Sequence, residues 1–303
     1  MNVGFIGLGA MGLPMAKRVI GAGHQLRTTF HRNRAPAEEL AALGARVLPT
    51  PAEVARESET VITILPADAE LKQAVLGANG VLEGFAAGKV LIEMSTATAF
   101  TVREVEAALA GVGGRVLDAP VSGGTPAAAN GTLTIMVGGD VDLLEQCRPL
   151  LETMGKTIPH VGAVGHGKVV KIVNQVLAAT HLLAMAEALA LGVKCGGDPK
   201  VIYEVLKTSS GYSKMMDLRL PGFLFNGSFQ PGFKLDLMKK DLNLAVDSAQ
   251  ALAIPLAFGS LAAQIFAAAS TAGRGGEDFS AAAEFLAGLA GARLDGGQPR
   301  SAE

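Results

Sequence analysis

Residues 1–12 constrain the fold more than any other part of the chain. A short apolar run containing Val3, Phe5 and Ile6 leads straight into glycines spaced as Gly7-Leu8-Gly9-Ala10-Met11-Gly12. In a GxGxxG turn that follows a strand and opens a helix, the three glycines serve separate purposes. The first permits the tight turn, the second lets the backbone approach a pyrophosphate, and the third lets helix and strand pack closely. The helix read over residues 10–22 points its N-terminal N–H groups and positive dipole end toward those phosphates. Gly7, Leu8, Gly9, Ala10, Met11 and Gly12 are therefore the candidate dinucleotide-binding residues.

The rhythm that follows fits such an opening. Short β-branched runs at residues 3–6, 25–30, 46–48, 60–65, 89–94, 115–119 and 134–137 alternate with helical patterns, with Pro49, Pro51, Pro66 and Pro120 at strand ends. Repeated βαβ units and a mainly parallel sheet are expected, an α/β Rossmann domain with its ligand loops at the strand ends. A glycine-punctuated joint at residues 161–167 then gives way to residues 168–194, which have neither strand alternation nor a turn residue except Gly192. They read as one long interdomain helix of about 40 Å at 1.5 Å per residue. Helical periods continue to residue 289, and no strand pattern appears among them.

The chain has 303 residues, enough for two cores, since single cores stop growing near about 250–300 residues. The expected division is a dinucleotide-binding domain over 1–163, an all-helical substrate and oligomerisation domain over 164–290 that includes the long helix, and a flexible tail over 291–303. Lys plus Arg is 26 and Asp plus Glu is 28, and a net charge of −2 gives no general attraction to nucleic acid or to an anionic membrane. The long helix is apolar but carries Lys171, Asn174, Gln175, His181 and Glu187, which favours a buried helix over a membrane span. A 49% hydrophobic fraction and a mean hydropathy of +0.35 suggest burial between subunits as well as within them. Two cysteines, Cys147 and Cys195, fit a reducing compartment, and the glycine-broken N-terminus does not read as a secretory signal, so a cytoplasmic protein is expected.

The residues after the second strand run speak to the cofactor. A carboxylate about 20 residues past the glycines usually holds the ribose 2′-hydroxyl, and it would repel a 2′-phosphate. Residues 24–37 contain no Asp or Glu, and the strand end reads Phe30-His31-Arg32-Asn33-Arg34. Guanidinium groups suit bidentate phosphate binding, so NADP(H) is favoured over NAD(H), with His31, Arg32 and Asn33 at the 2′-phosphate; the plainer alternative makes Arg32 and Arg34 solvated loop charges.

Two further patterns carry chemistry. Asp118-Ala119-Pro120-Val121-Ser122-Gly123-Gly124 ends a strand run and offers a hydroxyl plus backbone N–H groups, a natural cradle for a carboxylate. On the long helix, Lys171, Asn174, Gln175 and Ala178 share one face, and a lysine on so apolar an element is costly unless it has chemistry to perform. No His, Cys or carboxylate grouping has metal-ligand spacing, and no metal is expected.

These motifs together resemble the β-hydroxyacid dehydrogenase family over residues 1–289. The family includes 3-hydroxyisobutyrate dehydrogenase, tartronate semialdehyde reductase and the glyoxylate and succinic semialdehyde reductases. The resemblance runs in order through GFIGLGAMGLPMA from Gly4, DAPVSGG from Asp118, GTLTIMVGG from Gly131, GHGKVVKIVNQ from Gly165 and KDL from Lys240. It implies that Lys171 is the catalytic residue and that Ser122, Gly123 and Gly124 hold the substrate carboxylate. It also implies that Leu65, Pro66, Thr96 and Lys240 line the cofactor, with Phe233 near the nicotinamide. The expected reaction is reversible hydride transfer from NADPH to a small aldehyde acid or 2-oxo acid, with Lys171 as general acid and base and Asn174 and Gln175 positioning the reacting groups. Burial and a neighbouring cation would lower the lysine's pKa usefully. A homodimer or homotetramer is implied. The competing readings are an imine reductase-like enzyme, which usually lacks lysine at this position, and a non-catalytic NADP-binding regulatory protein.

Overall fold

The computed structural model describes residues 1–295. The chain divides into two units, Met1–Lys171 and Ile172–Glu303, and the division falls inside one continuous helix, His166–Lys194.

The first unit contains strands β1 (Asn2–Ile6), β2 (Gln25–Thr28), β3 (Arg46–Val47), β4 (Thr60–Thr63), β5 (Val90–Glu93), β6 (Arg115–Asp118), β7 (Val121–Ser122), β8 (Leu133–Ile135), β9 (Val137–Gly138), β10 (Gly155–Thr157) and β11 (His160–Gly162). Eight of them form one sheet in the order β11-β9-β6-β5-β4-β1-β2-β3. Its pairings are parallel except β6 with β9. Apolar residues fill both faces of the central strands, as a sheet covered by helices on both sides requires. In register, Val61, Leu91 and Val116 line one face beneath helices Pro51–Arg56, Asp68–Leu76 and Ala99–Ala110. Ile62, Ile92 and Leu117, one residue further on, face helices Gly12–Gly21 and Val141–Leu151. The strand order reverses direction between β1 and β4, so the crevice at their carboxyl ends is where an open α/β sheet binds its ligand.

Three expectations change in detail. The first helix spans Gly12–Gly21 and not residues 10–22, because residues 9–11 form the turn, closed by Leu13 N donating to Gly9 O at 3.0 Å. β2 ends at Thr28; Thr29 leaves the ladder, and its hydroxyl donates to Pro49 O at 3.3 Å. The strand run over 134–137 divides at Met136, whose N–H donates to Pro120 O. The part before the break joins a separate three-stranded sheet, β10-β8-β7, and the part after it joins the main sheet.

The second unit continues the long helix from Ile172 and adds helices Pro199–Leu206, Lys214–Arg219, Leu235–Ala251, Ala257–Ala269 and Ala281–Leu289. Leu182, Ala186, Leu189, Met216, Met238, Leu242, Phe266 and Ala282 belong to its core. The long helix has 29 residues and is long and apolar enough to cross a membrane by length and composition, yet its Ala179, Leu182, Ala186 and Leu189 are buried in this core. The sequence reads as a flexible tail from residue 291, but Ala292 and Leu294 are buried in the same core, which carries packed chain past the last helix. The rest of that tail, residues 296–303, lies outside the described residues.

Candidate active site

The opening turn behaves as its glycines require. At Gly7, with φ of 105°, a Cβ would lie 2.1 Å from Ile64 O, and at Gly12 it would lie 1.8 Å from Gly7 O. Protein packing alone therefore excludes side chains at both. Gly9 is different: a Cβ there meets no protein atom within 4 Å. The space in front of Gly9 is open, and the helix that follows has no side-chain cap on its first turn. Open space beside a bare helix N-terminus fits a dinucleotide pyrophosphate. Leu8, Ala10 and Met11 complete the turn, with Ala10 exposed.

After β2, His31, Arg32, Asn33 and Arg34 are all exposed. Arg34 pairs with Glu38 at 3.0 Å and lies 5.5 Å from the Phe30 ring centroid. Asn33 Oδ1 accepts from Ala35 N at 3.1 Å, just ahead of the next helix. Arg32 makes no ion pair among the described residues.

The ends of β4, β5 and β6 bring a second group together. Leu65 N donates to Ser95 Oγ at 2.8 Å, tying the Leu65-Pro66 loop to the loop that carries Thr96. Ser122 closes β7 and Gly123, at φ of 133°, turns the chain into helix Gly124–Asn130, whose first turn has no side-chain cap. Three buried charges that the sequence alone does not assign lie here. Asp118 accepts from Gly165 N at 3.0 Å and Lys168 N at 2.9 Å, capping the start of the long helix, and this cap explains why the helix begins at His166 rather than 168. Lys168 forms an ion pair with Glu93 and donates to Glu93 O and Ser95 O, both at 2.9 Å. A carboxylate at the far end of each of two strand runs, and a second lysine one turn before Lys171, is the signal the sequence offers for them.

Lys171 itself is buried, 6% exposed, on the next turn of that helix. Asn174 and Gln175 follow on the same helix in the second unit. There Gln175 Nε2 donates to Asp241 Oδ2 at 2.7 Å, and Asn174 Nδ2 donates to Gln175 Oε1 at 3.0 Å. Asp241, 1% exposed and not singled out from sequence, also pairs with Lys240 at 2.9 Å. The three residues of the KDL motif thus include a carboxylate that fixes both the motif's own lysine and the helix amides. Phe233 is held from behind: its N–H donates to Asp278 Oδ2 at 3.1 Å, its carbonyl accepts from Phe279 N at 2.9 Å, and the two rings meet edge to face at 6.0 Å.

Comparisons with known proteins identify the family. Residues 2–162 match the family model described as the NAD binding domain of 6-phosphogluconate dehydrogenase, and residues 165–286 match that of NAD-binding of NADP-dependent 3-hydroxyisobutyrate dehydrogenase. The chain is 38% identical to 2-(hydroxymethyl)glutarate dehydrogenase of Eubacterium barkeri, covering 98% of this chain and 99% of that one. It is 36% identical to 2-hydroxy-3-oxopropionate reductase of Escherichia coli, covering 97% and 100%. Among solved structures, Mycobacterium tuberculosis 3-hydroxyisobutyrate dehydrogenase with L-serine superposes with a TM-score of 0.88 at 36% identity, covering 94% and 98%. The chain belongs to the β-hydroxyacid dehydrogenase family and is an NAD(P)-dependent oxidoreductase of hydroxy acids.

Proposed function

We propose that the protein interconverts a small aldehyde acid or 2-oxo acid with its hydroxy acid, prefers NADPH to NADH, and uses Lys171 as general acid and base. The observation that carries this reading is the buried lysine. Desolvating an ammonium costs several kcal/mol, and Lys171 is kept inside on the helix that also bears the Asn174 and Gln175 amides. A nicotinamide cofactor, when bound, would supply the hydride for this reaction. Lys171 Nζ donates a proton to the carbonyl oxygen as negative charge builds on it, and takes the proton back when the hydroxy acid is oxidised. The Ser122 hydroxyl and the N–H groups of Gly123 and Gly124 bind the substrate carboxylate and so fix the distance of its carbonyl from that amine.

The amide orientations follow from Asp241. An ionised carboxylate only accepts, so Gln175 must direct Nε2 to it and keep Oε1 for Asn174 and other donors. Leu65, Pro66, Thr96, Phe233 and Lys240 line the cofactor in this reading. Arg32 takes the 2′-phosphate, with His31 and Asn33 beside it, because residues 24–37 lack a carboxylate and the next one, Glu38, is engaged by Arg34. The reading also includes a homodimer or homotetramer, supported by exposed apolar residues such as Phe258 at 81% and Leu289 at 71%, and a cytoplasmic location, supported by two free cysteines.

The test is NADPH oxidation with glyoxylate, tartronate semialdehyde, succinic semialdehyde, methylmalonate semialdehyde and 2-formylglutarate, repeated with NADH. We expect turnover of at least one, with kcat/KM for NADPH about tenfold or more above NADH, the worth of one good charge-assisted contact. Tight NADPH binding without turnover of any would leave a non-catalytic binding protein, and a preference for NADH would overturn the role of Arg32.

A further inference from the structure

We infer that Lys168 is a positioning residue for the reaction: it clamps the first turn of the helix that carries Lys171 to the strand-end loop that carries Ser95 and Thr96. The inference rests on the reading of Lys171 as proton donor and concerns only residues of the first unit.

The Lys168 and Glu93 side chains are both 0% exposed. The Lys168 ammonium donates to two carbonyls, Glu93 O and Ser95 O, and forms an ion pair with the Glu93 carboxylate. Glu93 Oε1 accepts in turn from Ser95 N at 2.9 Å. Ser95 passes the constraint on, accepting from Leu65 N through Oγ. The backbone of the same turn is held from the other side, where Asp118 accepts from Gly165 N and Lys168 N. Gly167 between them is pressed so close that a Cβ would lie 2.5 Å from Met136 O and 2.7 Å from Asp118 Oδ2.

Stability does not account for this arrangement. A buried ion pair is commonly replaceable by apolar side chains of similar volume with no loss, because desolvation offsets the attraction. What an apolar pair cannot supply is direction. Two N–H bonds and an ion pair to one short segment fix both where residues 93–96 lie and how the helix turn is rotated. Lys171 is one turn further on the same face, with Cβ atoms at that spacing about 5–6 Å apart. A proton donor must be held within about 0.5 Å of its productive place, so small rotations of this turn are costly to rate.

The test compares K168M, E93Q/K168M and K168Q. K168M leaves the Glu93 carboxylate buried without its cation, so its melting temperature should drop by about 5 °C or more. In E93Q/K168M that charge is gone and most of the melting temperature should return. The two roles separate there: we expect kcat to stay down by about 20-fold or more, while KM for the best aldehyde acid of the five and the Kd of NADPH move less than about threefold. Amide exchange of the cofactor-free protein should quicken at residues 93–98 and 166–171. K168Q, which keeps two donors but also leaves Glu93 without its cation, should lose melting temperature as K168M does and show the same kcat split. A kcat near wild type in either folded variant, or unchanged exchange at both segments, overturns the inference. If Lys171→Ala retains turnover, the reading of Lys171 fails by itself, and the exchange result still reports on the clamp.

Discussion

Three glycines in one turn answer to two different demands, and substitution separates them. Gly12 is required by the protein, because a Cβ there would sit 1.8 Å from Gly7 O, whereas Gly9 borders open space. Gly12→Ala should lower stability by about 2–4 kcal/mol, read from thermal unfolding without cofactor. Gly9→Ala should leave the melting temperature within about 2 °C of wild type yet weaken NADPH binding by about tenfold or more in a fluorescence titration. A Gly9→Ala variant that binds NADPH normally would remove the pyrophosphate from this turn. Local spacing makes these glycines legible in the sequence, as it does Lys171, Asn174 and Gln175 on their helix. Glu93, Lys168 and Asp241 are not legible because their meaning lies in distant partners: Lys168 meets Glu93 across 75 residues and Gln175 meets Asp241 across 66.

Elements with strong periodicity can be read from the chain and short ones cannot. β4, β5 and β6 are apolar on both faces and announce a covered parallel sheet, while two-residue strands such as β7 and β9 owe their existence to neighbours such as Pro120, whose carbonyl splits the run at Met136. The helix Lys214–Arg219 is likewise set by context, its Arg219 lying between the Phe223 and Phe279 rings and pairing with buried Asp278. The start of the long helix depends on one side chain. Asp118→Ala strips two buried N–H groups of their acceptor and should cost about 2–3 kcal/mol in denaturant unfolding; a cost below about 0.5 kcal/mol would mean the cap is dispensable. In the helical unit, Asp217 accepts from Tyr203 at 2.7 Å and holds its hydroxyl proton, pushing that pKa up to about 12 from 10.0. A proton bound more tightly in the folded chain stabilises it fully below about pH 10, and this contribution is lost as pH rises from about 10 through about 12. Tyr203→Phe should flatten that alkaline limb of melting temperature against pH; an unchanged limb would contradict the assignment.

At the scale of the whole molecule, the residues invoked in the proposed reaction fall in both units, which divide between Lys171 and Ile172. The first unit holds the glycine turn, the strand-end loops, Ser122 and Lys171; the second holds Asn174, Gln175 with its partner Asp241, Lys240 and Phe233. The proposed reader of the 2′-phosphate, Arg32, lies in the first unit. Arg32→Ala should weaken NADPH binding by about tenfold or more and change NADH binding by less than about twofold; equal losses for both would make Arg32 a general binding residue rather than a 2′-phosphate reader. The proton-transfer role of Lys171 is tested most directly by Lys171→Ala, measuring kcat for the best aldehyde acid together with the Kd of NADPH on the same preparation. We expect kcat to fall about 10²–10⁴-fold with the Kd changed less than about threefold; a kcat within tenfold of wild type would contradict the assignment.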